Sequence, residues 1–141
     1  DHNERLEFLG DAVLELVITD HLYSKYPEKT EGEMTSLRAS LVNANMLSEV
    51  AKGISMDDFL LLSRGEAKDN GRARQCILAN TFEAVVGSIY LDKGYEKVFS
   101  FLKKNLFPKL NEVIKKKLWI DAKSLFQEKA QDIDYYNANL I

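Results

Sequence analysis

The 141-residue chain has little of what would indicate a secreted or membrane protein. Its single cysteine, Cys76, excludes a disulfide framework within the chain and favours a reducing, cytoplasmic setting. No apolar run approaches the roughly 18 residues of a membrane span, and no signal peptide is visible. No convincing strand pattern occurs before residue 132. These absences predict an all-α domain in the cytoplasm.

Charge is scarce in net terms but unevenly distributed. The net charge of −3 and the pI near 5.5 do not by themselves indicate a partner such as nucleic acid. Acidic residues crowd the first third, whereas basic residues cluster later, at Arg64, Lys68, Arg72, Arg74 and 115–117. A nucleic-acid footprint depends on such local patches more than on the total, although most charge runs are simply solvated.

Apolar periodicity predicts successive helices rather than strands. The first predicted helix runs from Asn3 to Lys25, and the second is capped by Thr30 and runs to Gly53. A short helix from Met56 to Leu62 is followed by a loop over RGEAKDNGRAR. A central helix over CILANTFEAVVGSIYLD comes next, and then a helical segment from Tyr95 to Lys117 with a break at Pro108. The central helix is too apolar for a surface position, so we expect it at the domain centre.

The last 23 residues differ in character from the rest. Asp121 is a predicted helix cap before AKSLFQEKAQ, and DIDYYNANLI suggests the beginning of a strand. One helix and part of a strand bury too little surface to be stable alone. We therefore expect one domain over 1–118 and the incomplete start of a second over 119–141.

The first helix stacks acidic residues on one side. Glu4, Glu7, Asp11 and Glu15 follow one another at steps of three or four, although like charges at this spacing repel by a few tenths of a kcal/mol per pair. Gly10 lies among them and leaves room for a close approach. The pattern indicates a face that holds something positively charged.

A second polar pair interrupts the central helix. Asn80 and Glu83 share one face of an otherwise apolar segment, where a carboxylate is costly unless it is paired or metal-bound. If the two faces oppose each other, they form an all-oxygen pocket, which selects Mg²⁺ or Mn²⁺ and suits phosphate-ester chemistry. The alternatives are acids that face solvent, or a core network with Arg5 or Arg38.

NERLEFLGDAVL, residues 3–14, resembles the signature of ribonuclease III, the double-stranded-RNA endonuclease. The resemblance continues through EGEMTSLRASLV, GEAKDNG, ILANTFEAVVGSIYLD and DAKSLFQEKAQ. It implies the helical fold of the endonuclease domain, with its N-terminal helix missing, and then the truncated start of an α+β double-stranded-RNA-binding domain. The implied activity is metal-dependent cleavage of duplex RNA into 5′-phosphate and 3′-hydroxyl ends, in rRNA and mRNA processing.

The resemblance also implies roles for individual residues. Asp11 and Glu83 would be catalytic, and the ligands of Mg²⁺, for which Mn²⁺ substitutes, would be Glu7, Asp11, Asn80 and Glu83. Glu4 and Glu31 would be auxiliary acids. Many family members carry Asp where this chain has Asn80, so we expect weaker metal binding here.

The resemblance implies a homodimer in which two sites cut the two strands and leave short 3′ overhangs. Phe8 would insert into the partner, although ordinary core filling is the better interpretation of Phe8 without the resemblance. A-form RNA is recognised mainly by its shape and backbone. The candidate backbone contacts are Arg38, Arg64, Lys68, Arg72 and Arg74.

Two alternatives remain open. An all-α nucleoside-triphosphate pyrophosphatase also carries paired carboxylates on helices. A non-catalytic RNA-binding relative is the second alternative, with Asn80 marking an inactive site.

Overall fold

Seven α-helices and one short 3₁₀ helix form the fold in this computed structural model, which describes residues 2–138. The helices are α1 (Glu4–Lys25), α2 (Glu31–Val42), α3 (Ala44–Gly53), α4 (Arg64–Lys68), α5 (Arg72–Lys93), α6 (Tyr95–Asn105) and α7 (Pro108–Ala138), and the 3₁₀ helix is Met56–Phe59. No strand occurs in the described range, so the predicted all-α class is confirmed. None of the helices in that range is both long and apolar enough to span a bilayer.

Helix α1 has nearly the bounds that its sequence predicts. It ends at Lys25, before the Tyr26-Pro27 pair that disfavours helical backbone. One face of the helix is apolar and almost wholly enclosed, with Leu14, Val17 and Ile18 all 0% exposed. The acids therefore project from the remaining surface of the same helix.

The predicted single helix from Thr30 to Gly53 is wrong, because the chain turns at Asn43. The capping box at the start is present, with the Thr30 hydroxyl accepting from the Glu33 amide and the Glu33 carboxylate accepting from the Thr30 amide. Asn43 is extended, and its side-chain oxygen accepts the amide proton of Met46, which starts a new helix. Asparagine competes for backbone hydrogen bonds in this way and so interrupts an apolar helical pattern.

The segment between α3 and α5 also differs from its prediction. RGEAKDNGRAR is not wholly a loop, since Ser63 and Glu66 form a capping box that begins α4. The preceding helix is shorter than predicted and ends at Phe59. Ser55 does not cap it with its side chain and adopts a left-handed conformation with φ 60°.

Helix α5 lies at the centre of the domain, as predicted. It packs against α1, α3, α6 and the 3₁₀ helix. Its apolar residues Leu78, Phe82 and Val86 are each 0% exposed. Full burial of side chains of this size contributes about 1.5–3 kcal/mol each, which makes α5 the main source of apolar burial next to α1.

Helices α1 and α5 cross with their backbones in contact. A β-carbon on Gly10 would lie 1.7 Å from the carbonyl oxygen of Glu83, and one on Gly87 would lie 2.3 Å from the carbonyl oxygen of Leu6. Only glycine permits two helices to approach this closely. The close approach expected at Gly10 is therefore that of α5 itself.

The C-terminal segment is more helical than predicted. Helix α7 begins at Pro108, as the expected break there requires, and packs against α2 and α6. It continues through Asp121 to Ala138, so the predicted cap at Asp121 and strand onset after residue 132 are wrong as far as residue 138. The last three residues of the predicted strand lie outside the described residues. The division at 118/119 stays a prediction.

Candidate active site

The acids of α1 lie on the side of the helix that meets α5. Glu7 is partly buried, whereas Glu4, Asp11 and Glu15 are exposed. Glu7 and Asp11 directly follow Leu6 and Gly10, the two α1 residues in backbone contact with α5. The crossing therefore fixes where these carboxylates stand relative to α5.

Glu83 on α5 lies near the negatively charged side chains of α1. The pKa of Glu83 is raised to about 7. The largest cause is the partial burial of the side chain, and the next is the negative charge of the nearby carboxylates of Asp11, Glu7 and Glu15. Burial and like charges both favour the protonated form of a carboxyl group. The structure thus brings together the three residues Glu7, Asp11 and Glu83, which the sequence placed on separate stretches.

Glu15 belongs to this cluster as well, as its place among the stacked acids of α1 indicates. The family resemblance assigns it no role, yet its negative charge contributes to the raised pKa of Glu83. Among the described side chains, the ion pairs do not include Glu7, Asp11, Glu15 or Glu83. The repulsion in this cluster is consequently not neutralised by neighbouring lysine or arginine.

The cluster suits a hard cation in its chemistry, because all of its donors are carboxylate oxygens. Within the described part of the chain, no three His, Cys, Asp or Glu side chains are gathered tightly enough to enclose a metal ion. Mg²⁺ does not require such a cage, since it keeps several waters and binds through one or two carboxylates plus substrate phosphates. The residues fit Mg²⁺ on these terms, and their assignment as ligands stays a prediction.

Asn80 and Glu7 line a common hollow of about 700 Å³ between α1 and α5. Glu4 lies at its rim with a carboxylate oxygen 3.6 Å from the Nδ1 atom of His2. Apolar side chains from the segment after the 3₁₀ helix, including the fully exposed Leu61, form another wall. The predicted ligand Asn80 and the predicted auxiliary acid Glu4 are therefore both near Glu7.

Glu31, by contrast, is not joined to the cluster by any described contact. It lies in a separate hollow of about 150 Å³ with Thr19 and Arg38. A Glu31 carboxylate oxygen accepts a hydrogen bond from the Thr35 hydroxyl at 3.0 Å. Thr19 is about 12 Å along α1 from Asp11, at 1.5 Å per residue. The auxiliary role of Glu31 stays a prediction without direct geometric support.

The candidate RNA contacts fall into two groups. Arg64, Lys68 and Arg72 are exposed. Arg38 is partly buried and donates to the Thr19 hydroxyl at 2.9 Å.

Arg74 differs from the other candidates because its side chain is only 14% exposed. Its Nη2 and Nε atoms lie 2.5 Å and 2.8 Å from Oδ1 of Asp57. The interaction ties the start of α5 to the 3₁₀ helix. Arg74 is thus a structural anchor in this chain, and its role as a phosphate contact stays a prediction. The 17-residue separation from Asp57 gave no sequence signal.

Phe8 is not a core residue, since 84% of its surface is exposed. It lines an open hollow of about 710 Å³ with Leu9 and Leu91, and Leu91 is itself 66% exposed. The core-filling interpretation of Phe8 is therefore wrong for the single chain. An exposed phenylalanine beside an apolar hollow is typical of a surface that meets another protein.

Comparison with known proteins gives a consistent result. A family model described as Ribonuclease-III-like matches residues 1–110. Ribonuclease 3 of Listeria monocytogenes is 48% identical over 109 residues, which are 77% of this chain and 48% of that relative. Ribonuclease 3 of Desulforamulus reducens is 47% identical over 127 residues, which are 90% of this chain and 52% of that relative. The chain thus spans about half the length of these relatives.

Solved structures agree with the sequence comparison. The nuclease domain of ribonuclease III from Campylobacter jejuni matches with a TM-score of 0.67 and 40% identity, covering 74% of this chain and 76% of that one. Dicer from Pichia stipitis matches with a TM-score of 0.67 and 33% identity, covering 79% of this chain and 51% of that one. With its signature helix, its acidic crossing and these similarities, the chain belongs to the ribonuclease-III-like family.

Proposed function

We propose that this chain provides the catalytic domain of a divalent-metal-dependent endonuclease that hydrolyses double-stranded RNA. The observation that carries the proposal is the cluster of Glu7, Asp11 and Glu83 at the crossing of α1 and α5. The family to which the chain belongs supports a nuclease over the alternative of a nucleoside-triphosphate pyrophosphatase. The relatives that it matches are ribonucleases 3.

The chemistry follows from the charge of the cluster. Bound Mg²⁺ would supply a water of lowered pKa and would offset negative charge on the phosphate. The chain contributes Asp11 and Glu83 to hold and orient that centre, with Glu7 and Asn80 at the adjoining hollow. In-line attack by water would form a new P–O bond and break the bond from phosphorus to the 3′ oxygen, which takes a proton, and this leaves a 5′-phosphate and a 3′-hydroxyl end.

Substrate recognition in this proposal relies on the RNA backbone. Arg64, Lys68 and Arg72 are exposed on α4 and at the start of α5, close in sequence to the residues that line the hollow beside Glu7. Contacts with phosphate release counterions and make binding weaken as salt rises. Little base specificity is expected, because the deep major groove of A-form RNA is inaccessible to side chains.

A homodimer is part of the proposal, with Phe8 at the centre of the dimer interface. The exposure of Phe8 and Leu91 around an apolar hollow supports a protein–protein contact at this place. The Campylobacter jejuni nuclease domain is described as having a region involved in dimer formation. Two copies joined here would each cut one strand of a duplex and leave short 3′ overhangs, in rRNA and mRNA processing in the cytoplasm.

The direct test uses the purified chain with a labelled RNA duplex and Mg²⁺. Cleavage is expected with Mg²⁺ or Mn²⁺, with 5′-phosphate ends on the products, and no cleavage is expected with EDTA. Single-stranded RNA and nucleoside triphosphates serve as control substrates and should remain intact. Glu83→Gln should abolish cleavage without unfolding the chain.

Two results would overturn the proposal. Duplex binding with no cleavage in either metal would favour the non-catalytic relative with Asn80 marking an inactive site. Hydrolysis of nucleoside triphosphates in place of RNA would restore the pyrophosphatase alternative.

A further inference from the structure

Helices α1 and α5 touch backbone to backbone within one turn of the acidic cluster. A β-carbon on Gly87 would lie 2.3 Å from the carbonyl oxygen of Leu6 and 3.1 Å from the amide nitrogen of Gly10. Leu6 and Gly10 directly precede Glu7 and Asp11, and Glu83 lies one turn before Gly87. The turns that make the contact therefore also carry the acids.

We propose that Gly87 is a positioning residue for the metal site, because its missing side chain sets the spacing at which Asp11 and Glu83 reach one Mg²⁺. This inference rests on the proposed function. Gly87 itself carries no functional group and touches no metal.

The acids cannot set this spacing themselves. Asp11, Glu7 and Glu15 all act on Glu83 as like charges, and the described ion pairs do not include these four side chains. Repulsion alone would move the carboxylates apart. The buried apolar side chains that the two helices share in the core hold them together against this repulsion, and the backbone contact at Gly87 sets how closely they approach.

A methyl group at residue 87 would change the spacing by a predictable amount. An ordinary carbon–oxygen contact needs about 3.3 Å, so the 2.3 Å available at Leu6 requires the helices to separate by about 1 Å. Mg²⁺ demands near-ideal geometry at about 2.0–2.1 Å, whereas Ca²⁺ accepts about 2.3–2.6 Å and irregular coordination. The substitution should therefore weaken Mg²⁺ binding more than Ca²⁺ binding.

The experiment measures metal binding by the whole chain in the absence of RNA. Titration calorimetry with Mg²⁺ alone and with Ca²⁺ alone compares the native chain with Gly87→Ala, at a temperature where circular dichroism shows both fully folded. We expect the Kd for Mg²⁺ to rise about tenfold in Gly87→Ala and the Kd for Ca²⁺ to rise less than threefold. Gly53→Ala is the matched control, since a β-carbon on Gly53 would meet nothing within 4 Å.

Two further variants keep the inference falsifiable. Asp11→Glu adds one methylene of reach and should restore part of the Mg²⁺ affinity when combined with Gly87→Ala. If Gly87→Ala does not fold, Glu83→Asp withdraws the carboxylate by one methylene and leaves the crossing intact. It should show the same preferential loss of Mg²⁺ binding.

The outcomes separate this inference from the proposed function. If the native chain neither binds Mg²⁺ nor cleaves RNA, both fail. If it binds Mg²⁺ and cleaves, but folded Gly87→Ala binds both metals as the native chain does or loses both equally, only the role of Gly87 is overturned. Native Mg²⁺ binding by Glu83→Asp would also overturn it, because the spacing would then not be critical.

Discussion

Asp11 and Glu83 lie on different helices and are 72 residues apart in sequence, and the charge of Asp11 is second only to burial in raising the pKa of Glu83 to about 7. Helix α1 supplies Asp11 one residue after Gly10, where the carbonyl of Glu83 is in contact. The acidic site therefore stores repulsion in the metal-free chain. That repulsion should lower the free energy of unfolding of the metal-free chain, and a bound cation should relieve it.

Glu83→Gln should stabilise the metal-free chain while it removes cleavage. In EDTA at pH 8, the free energy of unfolding should rise by about 1 kcal/mol, a figure reduced from the full pKa shift for solvent screening. The gain should vanish below pH 4.5, because Glu83 is then protonated in both states. Urea denaturation measures it, with the exposed Glu28→Gln as control.

Cleavage should fall at least about 100-fold in Glu83→Gln, because even the residues that only support metal ligands cost 10–100-fold when replaced. A less stable variant, or one that retains cleavage, would contradict the placement of Glu83 in the site.

Asn80→Asp should strengthen metal binding. An added carboxylate at the hollow shared with Glu7 increases the negative charge that attracts Mg²⁺. The Mg²⁺ concentration for half-maximal cleavage should fall about tenfold, since the charge of the ligands tunes cation affinity over decades. Without metal the variant should be less stable than the native chain, because Glu83 is one turn away on the same helix. Unchanged Mg²⁺ dependence would place Asn80 outside the metal's surroundings.

Acid should weaken the fold through His21. Its ring stacks on Phe107 with centroids 4.0 Å apart, and its Nε2 atom is buried without a hydrogen-bond partner among the described residues. Burial lowers the pKa of His21, followed by the charges of Lys25 and Lys103, while Asp20 opposes them. A lowered pKa means that the stability contribution of His21 is complete above pH 6.5 and is lost as the pH falls through the folded-state value.

Urea midpoints between pH 7.5 and 4.5 test this effect in EDTA. His21→Phe keeps an aromatic ring against Phe107 but cannot titrate, so its midpoint should fall less than that of the native chain. Glu83 contributes with the opposite sign, because its pKa is raised, but it does so equally in both proteins. Parallel curves for the two proteins would exclude His21 as a cause of acid sensitivity.

Arg74→Ala should act on stability, whereas Arg72→Ala should act on RNA affinity. Arg74 is mostly buried against Asp57, so its removal leaves the Asp57 carboxylate without its cation. The free energy of unfolding should fall by about 2 kcal/mol for this partly exposed pair. Arg72 is exposed, so its loss should leave the unfolding midpoint unchanged and reduce the salt dependence of duplex binding. Equal effects of the two substitutions on stability would contradict this division.

Phe8→Ala should weaken self-association without weakening the fold. The side chain is 84% exposed in the single chain, so truncation removes little buried surface from it. Aromatic anchors at interfaces cost about 2 kcal/mol or more when truncated, which is more than tenfold in Kd. Sedimentation velocity at several concentrations measures the effect, with Tyr23→Ala, 72% exposed at the other end of α1, as control. Unchanged association would remove Phe8 from the interface.

Local sequence determined the helices and the identity of the acidic residues. The bounds of α1, the capping box at Thr30 and the start of α7 at Pro108 all depend on residues within a few positions of each other, which is why they could be predicted. The break at Asn43 was not predicted, because the apolar helical pattern continues across it and only the side-chain cap interrupts the helix. The continuity of α7 was not predicted either, because the sequence offers a cap residue at Asp121 that the helix does not use.

Only the tertiary structure decided which of those residues act together. The crossing at Gly10 and Gly87 unites Glu83 with Asp11 and Glu7, and it adds Glu15, to which the sequence assigned no role in the site. The tertiary structure also pairs Arg74 with Asp57 and leaves Phe8 on the surface. Such relationships depend on how two helices pack, and packing is set by the shape of the whole core rather than by any local pattern.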